Sequence, residues 1–273
     1  MELDKLLETS VIASIEAGKK IMEIYGTDFS VEYKNDSSPL TIADKGANDI
    51  ITGFLIPSGY PILSEEGRQI DFVEREQWPV FWMVDPLDGT KEFVKKNGEF
   101  TVNIALIEKK TAISGVIYAP AKDVLYFGTK GNGSYMVEGA AEIVGQLKGQ
   151  DDLLDQLLKK STKLPLQRSD KKFTAVASRS HLSDETQSFV ESLRKVHGEV
   201  NFISSGSSLK ICLVAQGSAD VYPRLAPTME WDTAAGQAIA ENAGCKVVQY
   251  KNNEQVVYNK KDLLNPFFIV SRN

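Results

Sequence analysis

Between residues 80 and 93 the chain reads Val80-Phe81-Trp82-Met83-Val84-Asp85-Pro86-Leu87-Asp88-Gly89-Thr90-Lys91-Glu92-Phe93. Two carboxylates, a glycine and a hydroxyl fall within six residues, directly after an apolar run with the character of a buried strand. Proline donates nothing to a ladder, so Asp85-Pro86 is expected to end that strand, and Thr90 to open a helix. Carboxylates at such a junction suit a hard divalent cation, which takes oxygen ligands. The unpaired N–H groups of a first helical turn suit a phosphate. Read alone, the same letters also describe a well-formed turn with a capped helix.

Spacing excludes two related chemistries. In an EF-hand the glycine stands at loop position six and a glutamate at twelve. Placing Gly89 at six puts Val84 at one and Lys95 at twelve, so that reading fails. An aspartyl-phosphate site needs its two aspartates separated by a single residue, whereas Pro86 and Leu87 both intervene.

Other reactive groups are scattered along the chain, each with a plainer reading beside it. Asp44 stands three residues after Thr41, where it would serve as a capping acid near the positive end of a helix. Glu65-Glu66 ends a short strand, and two adjacent like charges repel unless water or a cation relieves them. Ser178-Arg179-Ser180-His181 follows a strand, where α/β folds place ligand loops. Ser204-Ser205-Gly206-Ser207-Ser208-Leu209-Lys210 joins a strand to a helix and suits an anion. Arg224 follows the strand containing Val221-Tyr222, and Glu230-Trp231-Asp232 opens a further helix. Caps would account for the serines and Asp232, and a solvated surface for Arg179, His181, Lys210 and Arg224.

Three successive regions must position these groups. Residues 1–144 read as an α+β half. Amphipathic spacing predicts helices at 2–25 and 41–55, with Thr41 as N-cap. A short strand at 29–33, one at 61–67, and strands at 100–108, 112–118, 124–128 and 133–137 complete it, the last four as an antiparallel meander. Residues 145–172 turn polar and read as a loop or linker with a short helix. Residues 173–273 alternate strand and helix, which predicts an α/β half with a largely parallel sheet.

The composition is that of a soluble globular chain: 273 residues, 42% hydrophobic and 25% charged. Its net charge of −6 argues against nonspecific nucleic-acid binding. No signal pattern opens the chain and no apolar run is long enough to span a bilayer, so a cytoplasmic location is expected. Peripheral membrane contact stays open. Cys212 and Cys245 sit far apart in apolar segments and read as small buried hydrophobes. The glycosylation patterns at Asn35 and Asn132 carry no meaning without secretion.

These groups occur together in an order that resembles the inositol monophosphatase superfamily of Mg²⁺-dependent, lithium-sensitive phosphatases. The resemblance rests on Asp44 in Ala43-Asp44, on Glu65-Glu66, on Asp85 to Thr90 and on Trp231-Asp232, and covers nearly the whole chain. Lys91-Glu92-Phe93 after Asp-Gly-Thr, followed by Asn97 through Leu106, is most similar to the bacterial 3'(2'),5'-bisphosphate nucleotidases of sulfate assimilation. The charged insertion at 68–77 varies within such families.

The resemblance implies a layered α-β-α-β-α sandwich of the sugar phosphatase type, with the site between the two halves. It implies two or more Mg²⁺ ions: one on Glu65, Asp85 and the Leu87 carbonyl, a second on Asp85, Asp88 and Asp232. It assigns water activation to Thr90 paired with Asp44. It also implies adenosine 3',5'-bisphosphate as substrate, hydrolysed to AMP and phosphate, with the sulfated analogue as a further candidate. Such a ligand carries about −4 charge near neutral pH. Its contacts would be Glu65, Leu87, Asp88, Gly89, Thr90, Arg179, His181, Ser207, Lys210, Arg224 and Asp232. Inositol monophosphatase or fructose-1,6-bisphosphatase activity, and a nucleotide sensor without catalysis, are the alternatives.

Overall fold

The computed structural model describes residues 2–27, 39–168, 172–177 and 184–272. The expected strand at 29–33, together with Arg179 and His181, lies outside them.

The apolar spacing near the N-terminus folds as α1 (Glu2–Tyr25), whose buried Leu7, Val11, Ile15 and Ile21 recur at helical intervals. α1 packs along α2 (Pro39–Leu55), and the two cover one face of a sheet. α2 begins two residues ahead of Thr41, which therefore sits inside the first turn and not at the cap. Proline suits that first turn because its missing N–H would have no partner there.

The first sheet is built from β1 (Ile62–Ser64), β2 (Val80–Asp88), β3 (Thr101–Glu108), β4 (Thr111–Ala119), β5 (Val124–Thr129), β6 (Gly133–Glu138) and β7 (Thr162–Lys163), in that spatial order. β1 and β2 are parallel, joined by a crossover that carries α3 (Phe72–Arg75); the remaining neighbours are antiparallel. The two-residue pleat sorts β2 cleanly. Trp82 and Val84 join the α1–α2 core, whereas Phe81 and Met83 enter the core on the other face.

β2 does not end at Asp85. It continues through Pro86 to Asp88, pairing Asp85 with Asn103 and Asp88 with Thr101. Three steps on β2 thus match two on β3, which is a bulge, and a bulge is where a strand tolerates proline. The five-residue α4 (Thr90–Val94) follows at once.

The segment 145–172 holds more structure than a linker. The end of α5 (Ala140–Leu147), all of α6 (Leu153–Lys160) and the edge strand β7 lie in or across it. Leu153, Leu154 and Leu157 are buried in the α1–α2 core.

The second half contains β8 (Thr174–Val176), α7 (Asp184–His197), β9 (Asn201–Ile203), α8 (Leu209–Ala215), β10 (Val221–Arg224), α9 (Ala234–Asn242), β11 (Lys246–Gln249) and β12 (Phe268–Ser271). Its sheet runs β11-β12-β10-β8-β9. Only β10–β8 and β8–β9 are parallel; β10–β12 and β11–β12 are antiparallel. The largely parallel expectation fails because no helix is formed between β11 and β12, and a parallel return is usually built on one.

α8 and α9 fill the space between the sheets. Ile211, Cys212, Ala234, Ala238 and Ile239 share one core with Phe81 and Met83 on one side and Tyr222, Val247 and Val270 on the other. A Cβ at Gly115 of β4 would collide with the Ala235 backbone, so helix and sheet meet there without an intervening side chain. α7 covers the outer face of the second sheet through Phe189 and Leu193. The layers are α-β-α-β-α. Both cysteines are buried and free, and among the described residues no helix is long and apolar enough to cross a membrane.

Candidate active site

The bulge at the end of β2 leaves Asp85 buried, with its Oδ1 accepting the Leu87 N–H at 3.1 Å. β1 runs parallel beside it, and the Glu65 N–H donates to the Val84 carbonyl at 3.1 Å. That bond brings Glu65 to the level of Asp85. Asp232 comes from the other half, in the turn ahead of α9, where its Oδ2 accepts the Met229 N–H at 2.9 Å. Carboxylate oxygens of Glu65, Asp85 and Asp232 all lie within 4.8 Å of one another.

Such crowding is electrostatically costly. Burial pushes Asp85 well above the usual carboxylate range, and Asp88, Glu65, Asp232 and Asp44 push it further. Burial, then Asp88, raises Asp232 to about 7. Glu65 is raised by burial, then by Asp88 and Glu66. Asp44, on α2, is raised to about 8 by burial and then by Glu66 and Glu65, and its buried Oδ1 has no hydrogen-bond partner. An orphaned carboxylate oxygen beside three converging carboxylates fits a hard divalent cation, which would offset the repulsion and fill the empty acceptor.

Asp88 is held differently. Its Oδ2 accepts the Ser207 hydroxyl at 2.5 Å and the Ser208 N–H at 2.6 Å, with the Asn103 amide at 3.5 Å. Thr101 lies within 2.6 Å of the Ser207 hydroxyl and 2.8 Å of the Ser208 hydroxyl. Asn103 Oδ1 accepts from both Thr101 and Ser208. This network joins β3 to the serine loop, and makes Ser207 a partner of Asp88 first.

Gly89 has φ +92°, and a Cβ there would stand 3.2 Å from the Glu99 carbonyl and the Ser207 Cβ. Both the left-handed backbone and the close serine loop require glycine. Thr90 is exposed at the start of α4. No hydrogen bond joins it to Asp44 among those formed by the described residues.

Beside Asp88 and Asp232 opens a cavity of about 530 Å³ between the halves, reached by Gly89, Ser205, Ser207, Ser208, Lys210 and Arg224. Lys210 stands in the first turn of α8, its Nζ 3.5 Å from the Ser205 carbonyl. Burial pushes its pKa down, opposed by nearby Asp88. Arg224 is the last residue of β10, paired with Phe268, and not part of the loop beyond. One Arg224 amine donates to Pro227, while its Nε is buried without a partner.

Residues 2–271 match the Inositol monophosphatase family. The chain belongs to the inositol monophosphatase family. It is 41% identical over 270 residues to the 3'(2'),5'-bisphosphate nucleotidase CysQ of Salmonella typhimurium, spanning 97% of this chain and 99% of that one. CysQ of Escherichia coli K12 is 40% identical over 93% of this chain and 95% of its own length. Among solved structures, CysQ from Bacteroides thetaiotaomicron superposes with a TM-score of 0.92 at 51% identity, covering 98% of this chain and 97% of that one. A Staphylococcal IMPase-II shares the fold at 21% identity, with a TM-score of 0.71 and coverage of 98% and 89%.

For this member of the family, sequence reasoning overlooked three groups. Lys91 and Lys95 line the cavity from α4 and its cap, four residues apart. That spacing on a helix beginning at the motif could have found them. Thr101 and Asn103 lie two apart on β3, so they share a face, and a polar pair in an apolar strand was the available signal. Arg75 is buried, although it lies in the charged insertion, to which the sequence assigned no role.

Proposed function

We propose that this chain is a divalent-metal-dependent 3'(2'),5'-bisphosphate nucleotidase, hydrolysing the 3'-phosphate of adenosine 3',5'-bisphosphate to AMP and phosphate. The sulfated analogue is a second substrate on this reading. The observation that carries it is the adjacency of the Glu65–Asp85–Asp232 cluster to a cavity bearing Lys210 and Arg224. A carboxylate cluster alone serves any phosphomonoester. A basic cavity beside it serves a substrate with a second phosphate. The activity named for the relatives at about 40% identity supports the same choice.

Glu65, Asp85 and the Leu87 carbonyl would hold one Mg²⁺, and Asp85, Asp88 and Asp232 a second. Bound there, the ions supply a more acidic water and charge neutralisation at the leaving oxygen. The chain's own groups do the rest. The first-turn N–H groups at Gly89 and Thr90 receive the phosphate oxygens. The Thr90 hydroxyl passes the water's proton toward Asp44 as the new O–P bond forms and the bond to the 3'-oxygen breaks. The departing alkoxide takes a proton from solvent. Lys210 and Arg224 hold the 5'-phosphate, away from the reacting phosphorus.

Phosphate release from adenosine 3',5'-bisphosphate, an inositol monophosphate and fructose 1,6-bisphosphate, each with Mg²⁺ and with EDTA, tests the reading. Mg²⁺-dependent turnover with the highest kcat/KM on the nucleotide is expected. Preference for either sugar phosphate would overturn the substrate, and nucleotide binding without turnover would make the chain a sensor.

A further inference from the structure

Asp232 is the one member of the carboxylate cluster supplied by the second half, and a second, largely buried network surrounds the turn that carries it. Glu230, two residues before it, is fully buried. Its Oε2 accepts the Asn259 N–H at 2.6 Å. Its Oε1 accepts the Lys260 N–H at 3.0 Å and the Lys260 ammonium at 2.5 Å. The same loop grips both flanks of Asp232. Asn265 donates to the Met229 carbonyl at 2.7 Å and to the Thr233 hydroxyl at 2.9 Å, and the Glu230 N–H donates to Leu263.

The loop is in turn bolted to the first half. Arg75 donates to Asn259 Oδ1 at 2.7 Å and to the Lys261 carbonyl at 2.9 Å, and the Asn259 amide returns a bond to the Arg75 carbonyl at 2.7 Å. Arg75 belongs to the crossover between Glu65 and Asp85. A chain of bonds therefore runs from the segment carrying two cluster carboxylates to the turn carrying the third. We propose that Arg75, Asn259, Lys260 and Glu230 are positioning residues that hold Asp232 at ligating distance, and so set the affinity for the divalent cation. This rests on the cluster being the metal site.

Stability alone explains such a network poorly, because a buried ion pair is often replaceable by apolar residues with no loss. That gives the test. The double variant Glu230→Met/Lys260→Met removes both members of the pair, although Glu230 also attracts the Arg75 guanidinium, and Arg75→Gln breaks the bolt from the other end. Mg²⁺ binding is measured by calorimetry on the substrate-free protein, alongside Tm. Groups that orient metal ligands are worth roughly 10- to 100-fold in metal affinity, so a rise in Mg²⁺ Kd of that size is expected in both variants. Substrate KM at saturating Mg²⁺ should stay near wild type. Wild-type Mg²⁺ Kd in a folded double variant overturns the proposal. If the double variant does not fold, an unchanged Kd in Arg75→Gln overturns it equally. No Mg²⁺ binding by the wild-type protein would instead defeat the metal site itself.

Discussion

Asp88 and Asp232 border the same cavity, yet one is held by neutral donors, a hydroxyl and a backbone N–H, and the turn of the other by an ionic loop. Asp88 belongs to the first half and is gripped by Ser207 and Ser208 of the second. Asp232 belongs to the second half, and its turn is tied through Asn259 to Arg75 of the first. Each half thus fixes a carboxylate of the other. The two braces differ in what failure costs. A hydroxyl removed from a network leaves a small polar deficit, whereas one partner lost from a buried ion pair leaves an uncompensated charge.

Asp85 lies between the two braces and should show the largest effect of any single change. Asp85→Asn is expected to abolish phosphate release while the fold persists, because it alone is assigned to both cations; near-normal turnover would remove it from the centre. Thr90→Ala should come next, lowering kcat by roughly 10²–10⁴-fold, the range for a positioned proton-transfer group, with Thr90→Ser restoring much of it. An active alanine variant would place water activation elsewhere.

Lys210→Ala or Arg224→Ala addresses the cavity beyond the Asp88 brace. Charge-assisted contacts contribute about 1.5–3 kcal/mol each, so KM for the bisphosphate should rise roughly ten- to a hundredfold. Against 3'-AMP, which lacks the second phosphate, little should change. Equal losses on both substrates would contradict the assignment. Ser207→Ala should weaken Mg²⁺ binding toward the lower end of roughly 10- to 100-fold, less than severing the ionic brace. Calorimetry on both sets of variants ranks the braces, and the reverse order would break the comparison.

The smallest effect is on stability with pH. In EDTA, Asp44 and Asp232 titrate near 8 and near 7 when folded, above their ordinary values. The folded state then binds more protons than the unfolded one, so stability falls as pH rises from the ordinary carboxylate range through about 8. Thermal melts from pH 5 to 8 should show a declining Tm in EDTA that Mg²⁺ flattens. A rising Tm in EDTA would mean that the carboxylates are not clustered.

Much of this was legible in the chain alone, because it depends on local periodicity and backbone chemistry. Apolar spacing marked α1 and the two-faced strand β2, and Asp-Gly-Thr marked the strand-to-helix junction whose glycine has a positive φ. Those features are written within a few residues of one another. Tertiary structure decided the rest. That β2 runs on through Pro86 depended on its pairing with β3, since a bulge exists only relative to a partner strand. The antiparallel return of β12 required knowing which strand it would join. Arg75 was one charge among several in the 68–77 insertion, and its partners at residues 259 and 261 are remote in sequence. The resemblance makes Ser207 a substrate contact, and only the fold shows that its hydroxyl also donates to Asp88. A side chain's burial and partners are long-range quantities, and no window of sequence contains both members of such a pair.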